Sequence, residues 1–369
     1  MTPKKLLPLL SLMLVVVGLQ LGLAALEKDY YLTPIPLAVY HAVVVLGLCL
    51  LMGYAGQTSL GHGAFFAIGG YTSAVLTTHN LAAYREAGWA KLLQECGVLV
   101  SQKSIYDGAN TLTATPWAAF AAAMLLTLVV AVVIGYPALR LKGHYLAMAT
   151  LGFGLIVYRI LLGTPVLGAA DGITGVPPWS LGFGLVLSGK SALRVQNYYL
   201  AWAIALGVLL LLLNLVHSRV GRALRAIHDG ELAANAMGIN TPRYKLQAFV
   251  VSALLAAAAG SFVTHFNGGI GPSEAGSLKS VRYVALAAAG GMDNLWGGLL
   301  VSTALNFVSL RGWLGTLDNA VFGVLLILIV SVTPDGPLKP LRSWVRAAAC
   351  ALSSRIRALW SRKVKHGAA

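Results

Sequence analysis

The chain has 369 residues, of which 57% are apolar and only 11% are charged. Soluble domains carry about 25% charged residues, so this composition excludes an ordinary water-soluble globular protein. The net charge of +15 does not indicate nucleic-acid binding, because the basic residues cluster at the ends of apolar runs, as they do in membrane proteins.

Long apolar runs recur along the chain, and a helix needs about 20 such residues to cross a bilayer. The first run is longer than the roughly 7–15 apolar residues of a signal peptide, so we predict that it is retained. The sequence predicts an all-α polytopic membrane bundle of about ten spans, with broken or re-entrant segments. The predicted spans are 6–26, 35–52, 61–78, 117–135, 145–163, 197–216, 244–266, 279–292, 294–311 and 318–333.

The basic residues predict the orientation of the spans. If both termini are cytoplasmic, which requires an even number of spans, 17 of the 27 Lys and Arg residues lie on the cytoplasmic side. The membrane domain is predicted to cover 1–335. The basic tail at 336–369 has apolar residues at three- and four-residue steps, which indicates an interfacial helix on membrane lipid, with a solvated tail as the alternative.

The segment 53–63, GYAGQTSLGHG, interrupts two apolar runs with glycines and with Gln57, Thr58, Ser59 and His62. Irregular backbone is not tolerated against lipid. We therefore expect either an unwound segment that lines a translocation path or a cytoplasmic turn that packs closely through its glycines.

A second interruption falls within 279–311, where Gly290 and Gly291 precede Asp293. Two short spans, or one span with a re-entrant segment, both fit this pattern. Asp293 is the acidic residue closest to lying within a span, but it stands at the break. Intramembrane acids mark proton-coupled transporters, so this position disfavours proton-driven transport. Gly290, Gly291 and Asp293 join the segment 53–63 as translocation-path candidates.

The segment 184–191, GLVLSGKS, matches the formula of a phosphate-binding loop. Such a loop requires a buried strand before it and a helix after it in an α/β domain. Here the match lies between two predicted spans, on the predicted outer side. We therefore reject it as an ATP site, and the sequence contains no metal-ligand spacing or catalytic constellation.

The loop 217–245 is the main polar connection between spans, and it predicts a short helix from about Glu231 to Met237 that ends at Gly238. A short exposed helix between two spans is typical of a docking element for a soluble partner. A plain surface helix is the alternative.

Several motifs resemble one known family. Glu231-Leu232-Ala233-Ala234, followed by Gly238-Ile239, resembles the EAA loop of ABC importer permeases. The wider loop resembles the branched-chain amino acid branch of those permeases. Four further segments share this resemblance, which runs in order from about residue 37 to 335: GQTSLGHGAFFAIGGYT at 56–72, LRLKGHYLAMATLGFG at 139–154, GITGVPP at 172–178 and GGMDNLW at 290–296.

The resemblance implies a bacterial inner-membrane permease that is not an enzyme and binds no cofactor, because ATP is bound by two cytoplasmic ATPase subunits. A second, related permease subunit and an external solute-binding protein complete the machinery. Coupling to the ATPases is implied for Glu231, Ala233, Ala234, Gly238 and Ile239.

Three residues depart from the family pattern: Lys279, Arg282 and Asp293. These departures leave the substrate open, with branched-chain amino acids first and urea, short amides or another small solute as alternatives. An ion-coupled secondary transporter is the alternative of another class. The predicted docking element in the loop 217–245 argues against it.

Overall fold

The structure is a computed structural model that describes residues 3–80, 97–103, 110–141, 143–182 and 184–312, together with single positions at 94, 320, 323, 324 and 327. The predicted tail at 336–369 lies outside the described residues. Of the tenth predicted span, 318–333, only four isolated helical positions are described.

Nine of the helices in the described residues coincide with the first nine predicted spans, and two more form the docking loop. α2 continues directly into a π-helical segment, Cys49–Tyr54. The helices are α1 Pro3–Ala25, α2 Pro34–Leu48, α3 His62–Thr78, α4 Pro116–Ala138, α5 His144–Gly163, α6 Arg194–His217, α7 Arg219–Asp229, α8 Glu231–Ala236, α9 Thr241–Asn267, α10 Ser277–Gly290 and α11 Leu295–Leu310.

Three small antiparallel strand pairs, which hydropathy did not predict, lie in the connections between helices. β1 Leu99–Lys103 pairs with β2 Asn110–Ala114, and β4 Trp179–Gly182 pairs with β5 Leu185–Leu187. β3 Ile173–Thr174 pairs with the distant strand β6 Gly269–Ile270, where Ile173 faces Ile270 and Thr174 faces Gly269. The membrane part itself is all-α, as predicted.

Five helices in the described part of the chain are long and apolar enough to cross a membrane: Asp29–Tyr54, Pro116–Ala138, His144–Gly163, Ser191–His217 and Thr241–Asn267. α10 and α11 have 14 and 16 residues. At 1.5 Å per residue they reach only about 21 and 24 Å, which is less than the roughly 30 Å hydrocarbon core. The region 279–311 is therefore two short helices joined by a tight turn.

α2 occupies the centre of the bundle. In an 18-residue apolar stretch of Asp29–Tyr54, 94% of the residues are buried inside the protein, whereas the share in Pro116–Ala138 on the periphery is 28%. A helix that is apolar on all sides is suited to complete enclosure. Its polar exception, His41, lies 2.9 Å from the Tyr283 hydroxyl of α10.

α3 and α9 cross at very close range because glycines stand at the contact. A methyl group at Gly69 would overlap the backbone of Ala257, and one at Gly260 would overlap the Phe66 carbonyl. The Ser261 hydroxyl donates to the Gly69 carbonyl at 3.0 Å. Small residues allow membrane helices to approach in this way.

The connections fall on two opposite faces, separated by the roughly 40 Å length of the 27-residue helix α9. The α7 face comprises 55–61, 139–141, 143, 218–240 and 291–294. The hairpin face comprises 26–33, 97–103, 110–115, 164–182, 184–193 and 268–276. Contacts between segments of one face define each set: the Thr58 hydroxyl donates to the Gly143 carbonyl at 3.5 Å, and the Val176 N–H donates to the Gly268 carbonyl at 3.1 Å.

Candidate coupling junction

α7 begins at a well-formed cap. The hydroxyl of Ser218 accepts hydrogen bonds from the backbone N–H groups of Val220 and Gly221, at 3.1 and 3.5 Å, which satisfies donors that a helix start otherwise leaves free. The helix is strongly amphipathic. Its buried face carries Leu224 and Ile227, and its exposed face carries Arg222. α7 therefore lies flat on the α7 face with its basic side outward.

α8 is short because its last turn closes immediately. Gly238 has φ +82°, a conformation that side chains other than glycine adopt at a cost. The N–H of Ile239 bonds to the Ala234 carbonyl at 3.0 Å, and the N–H of Gly238 bonds to the Asn235 carbonyl at 2.9 Å. This pair of bonds is a Schellman motif, so Gly238 ends the helix as the sequence predicted.

Two side-chain contacts tie α8 to the start of α9. Lys245 forms an ion pair with Glu231 at 2.7 Å, and the Thr241 hydroxyl lies 3.1 Å from the Asn235 side-chain oxygen. α8 is therefore tied directly to α9, which crosses the whole bundle.

The exposure of the loop residues divides the predicted docking set. Ala233 is exposed, but Ala234 is only 4% exposed and packs within the chain itself. Ala234 is thus unavailable to a partner in this conformation. The most protruding apolar side chains are Leu232 and Met237, which are 80% and 84% exposed.

The unwound segment 55–61 lies beneath α7. A side chain at Gly56, where φ is +65°, would meet the imidazole of His228 at 2.8 Å. The Gln57 N–H bonds back to the Leu51 carbonyl at 3.1 Å, so the irregular backbone is anchored on the π-helical segment. The docking loop and the first predicted break are therefore in direct contact.

The second break joins the same cluster. The Tyr54 hydroxyl donates to the backbone carbonyl of Asp293 at 2.5 Å. A methyl group at Gly53 would overlap the carbonyl of Met292, so the two backbones meet with no side chain between them. We call the cluster of α7, α8, segment 49–61 and turn 291–294 the coupling junction, after the role proposed for it below.

The turn 291–294 is built by glycine. Gly290 lies directly against Gly297 and Gly298 of α11, and a methyl group at Gly290 would lie 2.7 Å from the Gly298 backbone. Gly291 takes φ +83°, and Asp293 is exposed at the turn rather than within a helix. These residues allow α10 and α11 to form a tight hairpin.

Behind the junction, a buried polar network surrounds His62. Its two ring nitrogens lie 3.2 Å from the Ser59 hydroxyl and 2.6 Å from the Ser252 hydroxyl of α9. The N–H of Gly63 donates to the Ser280 hydroxyl of α10 at 3.1 Å. The start of α3 is therefore joined by hydrogen bonds to α9 through the His62 ring and to α10 through the Gly63 N–H.

The remaining path candidates differ in exposure. Gln57 is 3% exposed, and its side-chain amide has no hydrogen-bond partner within the described structure. Thr58 is exposed. The structure thus brings all seven candidates to one end of the bundle, but with Gln57, Ser59 and His62 closed off from solvent. No three His, Cys, Asp or Glu side chains in the described ranges lie close enough together to hold a metal.

Sequence reasoning missed Tyr54, His228, Leu232 and Met237 as members of the junction. The signal for Leu232 and Met237 was present, because apolar side chains in a polar loop need an explanation. No local signal existed for the bond between Tyr54 and Asp293, which are 239 positions apart.

A family model described as the permease component of branched-chain amino acid transport systems matches residues 31–330. The high-affinity branched-chain amino acid transport system permease protein LivM of Salmonella typhimurium is 28% identical over 324 residues, which cover 82% of this chain and 68% of LivM.

Two further relatives carry the same description under other names. LivH of Escherichia coli K12 is 25% identical over 308 residues, covering 81% of this chain and 91% of LivH. BraD of Pseudomonas aeruginosa is 26% identical over 309 residues, with the same two coverages. No solved structure matches the chain significantly.

Proposed function

This chain belongs to the family of permease components of branched-chain amino acid transport systems, and from that membership we propose which solute it carries and how it is driven. It is a membrane permease subunit of an ABC importer and not an enzyme. The proposed solutes are branched-chain and other hydrophobic amino acids, because the relatives that match it are transporters of that class.

We propose that the α7 face is cytoplasmic and that both termini lie on that side. Among the described residues, the α7-face segments contain four basic residues, Arg140, Arg219, Arg222 and Arg225, against three in the hairpin-face segments, Lys28, Lys103 and Lys190. Cytoplasmic loops carry the excess of Lys and Arg. The hairpin face is then external and receives solute from a binding protein.

Two ATPase subunits are proposed to drive transport, one on this chain and one on a second, related permease subunit. The observation that carries this proposal is the geometry of α8. Its Leu232 and Met237 side chains project outward, while its Glu231 is fixed to Lys245 of α9. A few side chains that are fully buried in pockets of the partner commonly carry most of the affinity of an interface.

The translocation path is proposed to open at the coupling junction. Gln57, Thr58, Ser59 and His62 on one break, and Gly290, Gly291 and Asp293 on the other, are its candidate residues. The buried positions of Gln57 and His62 correspond to a closed inner end. Movement of α7 would separate His228 from Gly56 and release the segment that carries them.

The test is made on the complex reconstituted in proteoliposomes with both permease subunits, the ATPases and loaded binding protein. We expect Leu232→Ala with Met237→Ala to lower ATPase co-purification and stimulated hydrolysis by tenfold or more, since each anchor truncation costs about 1–2 kcal/mol. The matched control is Leu278→Ala, because Leu278 is 83% exposed and lies next to the hairpin face. Normal stimulation in the double variant would remove α8 from the coupling role.

The substrate class is tested separately by ATP-dependent uptake of labelled leucine, isoleucine and valine against urea and acetamide. We expect uptake of the three amino acids only. Preferential uptake of urea or acetamide would leave the proposed ABC importer mechanism in place but would contradict the proposed solute class.

A further inference from the structure

The rejected phosphate-loop motif forms part of a small pocket on the hairpin face. The pocket has a volume of about 40 Å³, and Lys190, Ser191, Arg194 and Thr33 are among the residues that line it. It lies far from the coupling junction, at the opposite ends of the helices. Its lining residues contribute no acidic side chain.

A buried side chain holds this pocket in shape. Asn197 is 1% exposed, and its amide nitrogen donates to the carbonyls of Ser188 and Leu193 at 2.7 and 2.9 Å. Its side-chain oxygen accepts from the Ser188 N–H at 3.3 Å. The loop before α6 is therefore fixed by one residue that makes three hydrogen bonds.

A glycine that approaches α9 closely also fixes the shape of the pocket. A methyl group at Gly189 would lie 2.7 Å from the Phe266 carbonyl at the end of α9, so the loop is pressed against that helix. The pocket is thus pre-organised between the ends of α2, α6 and α9 and does not depend on a mobile side chain for its shape.

The charge of the pocket is uncompensated within the described residues. The two ion pairs found there are Lys245–Glu231 and Lys279–Glu274, and neither involves Lys190 or Arg194. The Arg194 Nε atom is buried and has no hydrogen-bond partner in the same part of the chain.

The start of α6 adds to this positive charge. α6 has 24 residues, no capping side chain at its start and no acidic residue in its first turn. The positive end of its dipole therefore adds to the two cations.

The size of the pocket selects the ligand. A void needs about 10–15 Å³ to hold one water, so 40 Å³ admits two or three heavy atoms rather than a whole amino acid. A planar guanidinium matches the two oxygens of a carboxylate. We propose that Lys190, Arg194 and the first turn of α6 form an external carboxylate-binding site.

This inference rests on the proposed orientation, which places the hairpin face outside. Two sources of carboxylate then reach the pocket: an acidic side chain of the docked solute-binding protein, or the α-carboxylate of the solute itself. Either would replace the water around Lys190 and supply the missing partner of Arg194.

The experiment compares Lys190→Gln and Arg194→Gln with Lys28→Gln, which removes an exposed cation from the same face. In the first arm, ATPase stimulation by the reconstituted complex is followed against the concentration of leucine-loaded binding protein. In the second arm, direct binding of labelled leucine is compared with that of leucinol, which lacks the carboxylate, in the absence of binding protein.

An acidic side chain as the source predicts that the half-stimulating concentration of binding protein rises about tenfold or more in both pocket variants. Lys28→Gln should not show this rise, and the maximal rate should be retained, which also shows that the variants fold. A free carboxylate as the source predicts that leucine binding, but not leucinol binding, weakens by the same factor.

If neither arm separates the pocket variants from Lys28→Gln, the carboxylate site is overturned while the transport function stands. A wild-type complex without ATP-dependent amino acid uptake would instead defeat the proposed function.

Discussion

The two faces of this permease are assembled by different means. On the hairpin face, Trp179 is 0% exposed and its ring lies 5.4 Å from Phe262 and 5.1 Å from Phe120. On the α7 face, the two breaks meet backbone to backbone at Gly53. The aromatic cluster on the hairpin face consists of large buried side chains, whereas the contact at Gly53 on the α7 face has no side chain between the two backbones.

This difference separates stability from transmission. A large buried ring contributes much of its stabilisation through burial and ring contacts, so it resists displacement. A glycine contact buries little apolar area. Its two backbones touch directly, however, so a movement of one backbone displaces the other. We infer that the hairpin face fixes the helices and that the α7 face passes movement between them.

The largest expected effect is on the hairpin face. Trp179→Ala should lower the free energy of unfolding by about 3–5 kcal/mol, the usual cost of truncating a buried tryptophan. Thermal unfolding in detergent measures it, with Trp117→Ala as the control because Trp117 is 51% exposed. The protein that remains folded should stimulate the ATPases normally. A loss of ATPase stimulation without a loss of stability would contradict the distinction between the two faces.

The next effect is on the α7 face. Gly53→Ala places a methyl group onto the Met292 carbonyl, and overpacking of this kind costs about 1–3 kcal/mol. We expect a large loss of leucine-stimulated ATPase activity in the fraction of the protein that remains folded, beyond what the loss of stability explains. The control is Gly207→Ala on α6, where nothing lies within 4 Å. Equal behaviour of the two variants would contradict a transmitting role for the contact at Gly53.

The smallest expected effect comes from removing the ion pair that ties α8 to α9. Glu231→Gln removes the ion pair with Lys245. The Glu231 side chain is 30% exposed and the Lys245 side chain 13% exposed. Because the pair is partly solvated, the stability loss should stay below about 1 kcal/mol, while stimulated ATPase activity falls several-fold. The exchange Glu231→Lys with Lys245→Glu should restore it. Failure of that exchange, with both proteins folded, would show that the charges act elsewhere.

The membrane architecture could be predicted because hydropathy is a local property. Spans 1–9 of the prediction each fall on a helix, and the end of α8 was predicted because Gly238 carries the signal in one residue. The three strand pairs were missed because their segments are short and lie within loops. β3 pairs with β6, almost a hundred positions away.

The candidate site was only half predictable. Both breaks were identified from their glycines, but the contact between them depends on where α2 and α10 sit in three dimensions. Ala233 and Ala234 were predicted to face a partner together. The structure buries Ala234 and exposes Ala233, because neighbouring residues on a helix point in different directions and Ala234 lies on the side that faces the protein.

The enclosure of α2 has a consequence for biosynthesis. His41 bonds to Tyr283, which follows it by 242 residues. At about 5–20 residues per second, roughly 10–50 s of translation separate the two. During that time α2 leaves the insertion machinery without the neighbours that finally surround it. Its apolar surface on every side is therefore a requirement of insertion as well as of packing, and the imidazole of His41 enters the membrane long before the hydroxyl of Tyr283 is made.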